Sequence, residues 1–293
     1  MTLEQLRIFL AVAEHQHVTK AAAQLNLTQS SVSSAITALE TRHAVTLFNR
    51  IGRRIELSPE GKAFLTSATA VLAAARSAEV SLADLSSLRA GTLAIFASQT
   101  IASFWLPSRI VAYNAAYPAV GLDLQIGNTA ESVAAVISGS VDIGLIEGDT
   151  PEPKLRQRVI DKDDLVVVVG QKHPWASAPP VLPRDLSTTR WAMREAGSGT
   201  RSTFENALAA LNFDSGSLDV AFDLPSNEAL CAAAATGTLA TVVSTSVARP
   251  GLDSGALLRM PLEIGGREFR LIQHEDRSIS RAATAFLELI ERC

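Results

Sequence analysis

Short polar runs follow several apolar segments in the C-terminal two thirds of the sequence, each where a predicted strand ends and a helix begins. Free backbone N–H groups at helix N-termini, together with hydroxyls, attract carboxylate or phosphate. In open α/β sheets such strand ends are where ligands bind. The sequence therefore predicts a site for a small anionic ligand. Its candidate residues are Ser98, Gln99, Thr100, Asn128, Thr129, Glu147, Ser198, Thr200, Arg201, Ser226 and Asn227.

Within this set Arg201 would add a cation and Glu147 suits a ligand amine. The alternative for each position is a plain helix cap, because Ser, Thr and Asn cap helices throughout proteins. The run Gly197–Arg201 (GSGTR) lacks the third glycine of a dinucleotide loop and is neither a Walker loop nor a nucleophile elbow. No histidine or cysteine spacing suggests catalysis or metal binding. We therefore expect no enzyme activity, no metal and no cofactor.

A second polar set lies near the N-terminus, on a predicted helix at 29–42 capped by Thr28, with Val32, Ile36 and Leu39 as its inner stripe. Gln can bind adenine through two hydrogen bonds, and Ser and Thr meet base edges or phosphates. The arginines around Gly52 suit phosphate or minor-groove contact from a small β-hairpin. Solvated helix and hairpin surfaces are the alternatives. The candidate DNA contacts are Thr28, Gln29, Ser30, Ser31, Ser33, Ser34, Thr37, Arg50, Arg53 and Arg54.

Charge is divided unevenly along the 293 residues, whose net charge is −4. Residues 1–60 carry six Lys/Arg and five Asp/Glu, whereas residues 89–293 carry a net charge of −5. DNA contact is therefore expected only at the N-terminal end, and several phosphate contacts are needed for useful affinity. Glu4 and Arg7 exclude a signal peptide. Two cysteines fit a reducing compartment, so we expect a cytoplasmic protein.

The elements that would position these residues follow from hydrophobic periodicity. Helices at 2–14, 19–25 and 29–42 and a hairpin at 50–57 form a winged helix-turn-helix. Ser58-Pro59 starts a helix that runs to about Leu88. After it, strands and helices alternate, which favours parallel α/β layers. The apolar positions of the long helix, at 4-3 spacing, are Phe64, Ala68, Val71, Ala75, Ala78, Leu82 and Leu85.

This narrow seam favours dimerisation through the long helix over packing on its own domain. Two joined copies would double the number of phosphate contacts. The expected operator is an inverted repeat with half-sites about one helical turn apart.

The segment 21–65 resembles the DNA-binding domain of LysR-type transcriptional regulators. It shares the paired alanines of helix two, Thr28-Gln29, Leu39-Glu40, Leu47-Phe48 with Arg50, and the junction Leu57–Gly61. It departs at Ser34, where the family usually has Arg, and at Ala44, where it usually has Gly. The segments SQTIASFWLP, IGNTAE, DIGLIEG, REAGSGTR and LPSNEA resemble the branch linked to sulfur assimilation and carbon fixation.

The resemblance implies an α+β multidomain fold: a winged helix-turn-helix at 1–58, a linker helix at 59–88 and an effector domain at 89–293. The effector domain would resemble a type 2 periplasmic binding protein. Its subdomain I would be 91–162 with 266–293, and its subdomain II 163–265.

As partners the resemblance implies double-stranded DNA, a small-molecule effector, a homodimer within a homotetramer and, as a further candidate, RNA polymerase, with no membrane. The effector would alter subdomain closure, and the tetramer would re-space its DNA-binding dimers. Two alternatives stay open at this point: a DNA-binding protein with a vestigial cleft, and an enzyme or solute binder with an accessory N-terminal domain.

Overall fold

The computed structural model describes residues 1–51, 54–85, 91–180 and 183–291. The chain divides into two compact units, one N-terminal and one C-terminal. The first unit is a winged helix-turn-helix followed by a long helix, and the second is a mixed α/β unit, as the sequence predicts. The positions of the domain boundaries stay predictions.

The N-terminal unit contains four helices and a hairpin. They are α1 Leu3–His15, α2 Val18–Gln24, α3 Gln29–His43, β1 Phe48–Ile51, β2 Arg54–Leu57 and α4 Pro59–Leu85. The antiparallel hairpin pairs Phe48 with Leu57 and Ile51 with Arg54. The buried core is centred on Phe9, whose ring lies 5.3 Å from that of Phe48 and 4.9 Å from that of Phe64.

Helix capping follows the sequence in most places. Thr2 forms a capping box with Gln5, and the Thr28 hydroxyl accepts from the backbone N–H of Ser31. The sequence predicts Thr19 as the cap of α2, and this is wrong: the helix starts at Val18 after His17, which makes no side-chain cap bond.

The start of α4 is fixed by two small residues. The Ser58 hydroxyl accepts from Gly61 N at 2.8 Å and donates to the Thr46 carbonyl at 2.6 Å. A Cβ on Gly61 would lie 2.1 Å from the Leu47 carbonyl oxygen, so only glycine allows the helix to lie this close to the hairpin. The motif Ser58–Gly61 thus docks α4 on its own domain.

Along α4 the apolar side chains of the predicted seam differ in how deeply they are buried. Ala68 is fully buried and Phe64 is half-buried against the domain core, whereas Val71 is 42% exposed and Ala78 is exposed. The side chains of Leu82 and Leu85, and residues 86–90, lie outside the described part. The first turns therefore pack on the chain itself, whereas the seam positions Val71 and Ala78 are exposed.

The C-terminal unit is built on one long mixed sheet. Its strands are β3 Thr92–Ser98, β4 Gly121–Gly127, β5 Ile143–Glu147, β6 Leu155–Gly170, β7 Arg190–Met193, β8 Asp219–Asp223, β9 Ala240–Ser244, β10 Leu257–Arg259 and β11 Gly266–His274. Its α-helices are α5 Leu106–Ala116, α6 Thr129–Ser138, α7 Gly199–Ala210, α8 Asn227–Ala235, α9 Thr245–Asp253 and α10 Arg281–Ile290. A π-helix, Ile101–Trp105, precedes α5.

The strand order is β4-β3-β5-β11-β6-β9-β7-β8, with β10 added beside β6. Strands β3, β4 and β5 are parallel, and so are β7, β8 and β9. The expectation of purely parallel sheets is wrong, because β11 runs antiparallel to β5 and β6, and β6 runs antiparallel to β9 and β10.

The sequence predicts a strand at 165–170, but β6 begins ten residues earlier, at Leu155, because its first part pairs with β11 and its second part with β9. It thereby joins two lobes with separate buried cores. Lobe 1 contains β3, β4, β5, α5, α6 and α10, and lobe 2 contains β7–β10 and α7–α9. The predicted subdomain boundary at 162/163 falls inside β6.

Two elements, α9 and β10, are absent from the sequence prediction. Pro250 and Gly251 lie inside α9 and favour a loop when only the sequence is considered. In the described ranges no helix is long and apolar enough to cross a membrane.

Candidate DNA interface and ligand cleft

Helix α3 presents a polar surface opposite its buried stripe. Val32, Ile36 and Leu39 are buried. The predicted contact residues Thr28, Gln29, Ser30, Ser31, Ser34 and Thr37 are exposed, and Ser33 is half-buried. Hydrogen bonds of 2.9 and 2.8 Å join the Thr28 hydroxyl to those of Ser30 and Ser31. The start of α3 is therefore a compact hydroxyl cluster.

The rest of this surface contains one cation that sequence reasoning missed. A shallow depression of about 560 Å³ is lined by Ser33, Ser34, Thr37, Ala38, Thr41 and Arg42. Arg42 lies in the last turn of α3. Ser34, Ala38 and Arg42 are four residues apart and so share one helix face, which is the sequence signal that could have identified Arg42.

For part of the wing the structure describes the backbone but not the side chains. Arg50 and Arg54 belong to β1 and β2, but their side chains, and all of Arg53, lie outside the described residues. The wing is anchored to α3 by Glu40, whose Oε1 accepts from Leu47 N at 2.7 Å and from Phe48 N at 3.2 Å. The Leu39-Glu40 and Leu47-Phe48 pairs of the sequence motif are thus one structural contact.

In the C-terminal unit a buried carboxylate lies at the centre of the predicted ligand site. Glu147, the last residue of β5, is 2% exposed. Its Oε1 accepts from the Ser98 hydroxyl at 2.9 Å, and its Oε2 accepts from the Thr200 hydroxyl at 3.1 Å and from Arg267 Nη1. Three predicted residues from three elements therefore meet here.

The charge state of Glu147 follows from this environment. Burial by itself raises the pKa of the carboxyl, but the Arg267 guanidinium and hydrogen bonds from neighbouring hydroxyls outweigh it, so the pKa is lowered from its ordinary 4.5. The carboxylate is ionised at neutral pH and paired.

Arg267 is the residue that sequence reasoning missed. Its side chain is 1% exposed, and each of its five N–H groups is bound. The partners are Asp163 (2.9 and 2.8 Å), Glu147, Thr200 (2.8 Å) and Thr100 (3.4 Å). Asp163 also accepts from the Ser244 hydroxyl at 2.7 Å. In the sequence Arg267 lies between Gly266 and Glu268 at the start of its strand, and no local pattern distinguishes it from an exposed arginine.

Other predicted residues bridge the two lobes. Asn227 N donates to Gln99 Oε1 at 2.8 Å, and Asn227 Nδ2 donates to the Thr100 hydroxyl at 3.1 Å. Asn128 Nδ2 donates to Glu195 Oε1 at 3.2 Å. The lobes are thus held together by polar contacts from the candidate set.

A second buried arginine, Arg194, orients these bridges. It is 3% exposed, donates to Asn227 Oδ1 at 2.9 Å and pairs with Glu195. Burial alone would raise the pKa of Glu195, but hydrogen bonds and charge from Arg194 lower it. Neither residue was predicted to belong to the site.

Two predicted residues have other partners. Arg201 donates to Glu205, Asp223 and the Arg194 carbonyl, so its charge is already neutralised. The half-buried Ser226 caps α8 by accepting from Ala229 N at 3.2 Å, and its hydroxyl donates to Glu228 Oε2 at 2.8 Å. Thr129 forms only long bonds of 3.4 Å, to the backbone of Glu147.

Ser198 is buried without a partner. It is 2% exposed, and its hydroxyl has no hydrogen-bond partner among the described residues. It occupies the N-cap position of α7 but makes no side-chain cap bond. A Cβ on Gly199 would lie 2.6 Å from the Glu147 Cβ, so the start of α7 is pressed against the Glu147 cluster. An uncapped helix start beside a free buried hydroxyl suits an anion.

Comparison with known proteins identifies both units. The model for the bacterial regulatory helix-turn-helix protein, lysR family, matches residues 3–62, and the LysR substrate binding domain matches residues 86–293. The chain belongs to the LysR family of bacterial transcriptional regulators. As a LysR-type regulator it binds DNA and carries an effector-binding domain, and it is not an enzyme.

Curated relatives span almost the whole chain. The uncharacterized HTH-type transcriptional regulator YeiE of Escherichia coli K12 is 32% identical over 290 residues, which cover 98% of this chain and 96% of YeiE. The probable RuBisCO transcriptional regulator of Cyanophora paradoxa is 31% identical over 294 residues, covering 99% and 91%. The carbon-fixation resemblance seen in the sequence agrees with the second relative.

Solved structures show the same fold. Full-length CbnR complexed with its target DNA matches with a TM-score of 0.68 at 22% identity, covering 100% of this chain and 99% of CbnR. The Synechocystis PCC6803 CcmR regulatory domain in complex with 2-PG (2-phosphoglycolate) matches with a TM-score of 0.62 at 22% identity, covering 69% and 96%.

Proposed function

We propose that this LysR-type regulator senses a small anionic metabolite in the cleft between lobes 1 and 2, and that ligand binding changes how the lobes close. The observation that carries the proposal is the unpartnered Ser198 hydroxyl, buried at the uncapped start of α7. The anionic ligand of CcmR, a protein of the same fold, is consistent with it.

The Glu147 carboxylate makes the contacts that a bound anion would make. Ser98, Thr200 and Arg267 all donate to it. A ligand that reaches these groups must move Glu147 aside, because two anions at this distance repel strongly in a buried site. The ligand would first meet Ser198 and the N–H groups of α7, and displacement of Glu147 would then disturb the Arg267 pair.

Such a displacement gives the ligand a different affinity for the two lobe arrangements, which is what a regulatory effector requires. Thr100 and Asn227 bridge the lobes beside the cluster, so movement of Glu147 reaches the bridge through Arg267, which also contacts Thr100. We infer that Gln99, Asn128 and Thr129 line the same cleft. Arg201 and Ser226 contribute to its support.

At the DNA, we propose that α3 enters the major groove with Gln29, Ser33, Ser34 and Thr37, and that Arg42 joins them. Thr28 and Ser30 would set the helix start, and Arg50, Arg53 and Arg54 would hold phosphates from the wing. The exposed seam positions Val71 and Ala78 support dimerisation through α4. We propose a homotetramer on an inverted repeat in the cytoplasm, with RNA polymerase as a further partner. The domains would be 1–58, 59–88 and 89–293.

Titration calorimetry of the full chain with a panel of small anions, including 2-phosphoglycolate, phosphate, sulfate and citrate, tests the ligand site. We expect at least one anion to bind, and Ser198→Ala to weaken it about tenfold, since a hydrogen bond to a charged group contributes about 1.5–3 kcal/mol. Ser254→Ala is the matched control, because it removes an exposed hydroxyl that donates to the Gly251 carbonyl at the end of α9, outside the candidate site; it should leave binding unchanged.

A second candidate is a regulator whose cleft is permanently filled by its own carboxylate, favoured by the fact that all five Arg267 N–H groups are already bound. It predicts that no anion binds the wild type or Ser198→Ala, while DNA binding is unaffected. The same titrations therefore separate the two candidates.

A further inference from the structure

Strands β6 and β11 pair so that their side chains divide into two faces. Arg267 lies opposite Asp163 in the register, and this pair faces the Glu147 cluster. Side chains alternate between the two faces of a sheet. The neighbouring positions Lys162 and Asp164 on β6, and Gly266 and Glu268 on β11, therefore lie on the other face.

That other face lines a separate cavity of about 720 Å³. Lobe 1 contributes Gly148 and Asp149 after β5, and lobe 2 contributes Thr203 and Asn206 from α7. The ladder contributes Lys162, Asp164, Glu268 and Arg270. Gly266 keeps this wall open, because a Cβ there would lie 2.8 Å from Asp164 Oδ1.

Several charged groups in this cavity are uncommitted. Among the described residues, the side chains of Lys162, Asp149 and Asp164 have no hydrogen bond or ion pair with any other group. Arg270 pairs with Glu268 through Nη2, but its Nε is buried and unpartnered. The cavity thus offers both cationic and anionic groups with unused bonding capacity.

We propose that this cavity is a second ligand site, which binds a small zwitterion with one carboxylate and one ammonium group, that is, a free α-amino acid. The carboxylate would meet Lys162 and the guanidinium of Arg270, and the ammonium would meet Asp149 or Asp164. A simple anion is disfavoured because the carboxylates Asp149, Asp164 and Glu268 line the same cavity. Within the described residues no group of three acidic, His or Cys side chains is arranged to hold a metal ion.

The site contacts both lobes and the strands that join them, so its ligand would influence lobe closure. Arg267 lies between the two sites. Its guanidinium binds Glu147, Asp163 and two threonines, and its strand forms one wall of the cavity. Helix α7 carries Ser198 at its start and Thr203 and Asn206 in its later turns. The amino acid is therefore a co-regulator, distinct from the anion of the cleft.

Thermal-shift and calorimetric titrations of the full chain with each of the twenty common α-amino acids test this proposal, with acetate and methylammonium as half-ligands. We expect saturable binding of at least one amino acid, with each half-ligand at least tenfold weaker. Lys162→Met and Asp164→Asn should each reduce the affinity about tenfold. The matched controls Lys154→Met and Asp123→Asn, which change exposed charges outside the cavity, should leave it unchanged.

Three results would overturn the proposal: no amino acid binds, acetate binds as tightly as the amino acid, or Lys162→Met and Asp164→Asn both retain wild-type affinity. The outcome is independent of the cleft ligand, because Ser198→Ala changes the anion titration and leaves the amino-acid titration intact.

Discussion

Asp163 and Arg267 lie directly opposite each other on β6 and β11, and Arg267 Nη2 donates to Asp163 Oδ2 at 2.8 Å. Both side chains are almost fully buried, at 6% and 1% exposure. The pair lies at the junction of the two lobes, and Arg267 also binds Glu147 from β5. One arginine thus pairs with two buried carboxylates at the point where the lobes join.

Replacement of this arginine by Met should destabilise the C-terminal unit strongly. The Arg267→Met exchange leaves Asp163 and Glu147 buried without a counter-charge, and removal of one partner of a buried pair costs about 3–5 kcal/mol. Urea unfolding monitored by tryptophan fluorescence measures the loss, because the three tryptophans, Trp105, Trp175 and Trp191, all lie in this unit. The exposed Arg259→Met is the control, expected within about 0.5 kcal/mol of wild type. Equal stability of both variants would contradict the role assigned to Arg267.

The Asp163–Arg267 pair is also an example of a contact that the sequence alone does not predict. Hydrophobic periodicity is local, and it placed most helices and strands close to their observed positions. The partners Asp163 and Arg267 are 104 residues apart, and their pairing depends on an antiparallel register that no local pattern encodes. The length of β6 was missed for the same reason, since its first ten residues are mostly polar or charged and form a strand only by pairing with β11, which lies far along the chain.

The candidate ligand residues divide in a similar way. Ser98, Thr100 and Thr200 were predicted from their place at strand ends, and they meet around Glu147. Arg201 was chosen for its charge next to a helix start, but a side chain's direction depends on its neighbours, here Glu205 and Asp223. Motif position therefore predicted backbone placement better than it predicted what a long side chain binds.

Acid should destabilise the C-terminal unit partly through Glu147. Its pKa is lowered in the folded state from an ordinary 4.5, so its stabilising contribution is present above pH 4.5 and is lost as the pH falls through the folded-state pKa. Glu147→Gln removes one titrating group, and the acid slope of the unfolding free energy should decrease by up to about 1.4 kcal/mol per pH unit.

Urea titrations at several pH values between 3 and 6 provide this slope. The exposed Glu275→Gln is the control and should reproduce the wild-type slope. An unchanged slope in Glu147→Gln would mean that the Glu147 carboxyl titrates alike in the folded and unfolded chain.

Ala44 should be a site at which glycine stabilises the N-terminal unit. Ala44 ends α3 in the left-handed conformation, with φ 51° and ψ 41°, which costs a residue with a Cβ about 1–2 kcal/mol. Part of this gain is offset by the greater freedom of glycine in the unfolded chain. We expect Ala44→Gly to raise the unfolding free energy of this unit by up to about 1 kcal/mol.

Hydrogen exchange of the α1 and α3 amides measures the stability of the N-terminal unit. Tryptophan fluorescence does not report on this unit, because all three tryptophans lie in the C-terminal unit. The matched control is Ala38→Gly, at an exposed interior position of the same helix, which should lower the stability by about 1 kcal/mol. If Ala44→Gly raises the stability while Ala38→Gly lowers it, the gain comes from relief of backbone strain at Ala44 and not from glycine itself. A loss of protection in Ala44→Gly would rule out strain at Ala44.

Glu40 should support DNA binding without contacting DNA, because its carboxylate holds the wing by accepting from Leu47 N and Phe48 N. Glu40→Ala leaves two backbone donors unpaired at the base of the hairpin, so the wing arginines lose their fixed position relative to α3. Removal of a negative charge would by itself strengthen attraction to phosphates. We nevertheless expect about tenfold weaker operator binding, since two charge-assisted hydrogen bonds are lost.

Fluorescence anisotropy on operator DNA selected with the wild-type protein measures the change. Glu14→Ala, which removes an exposed charge from α1, is the control; if it and Glu40→Ala bind equally well, wing positioning by Glu40 is refuted.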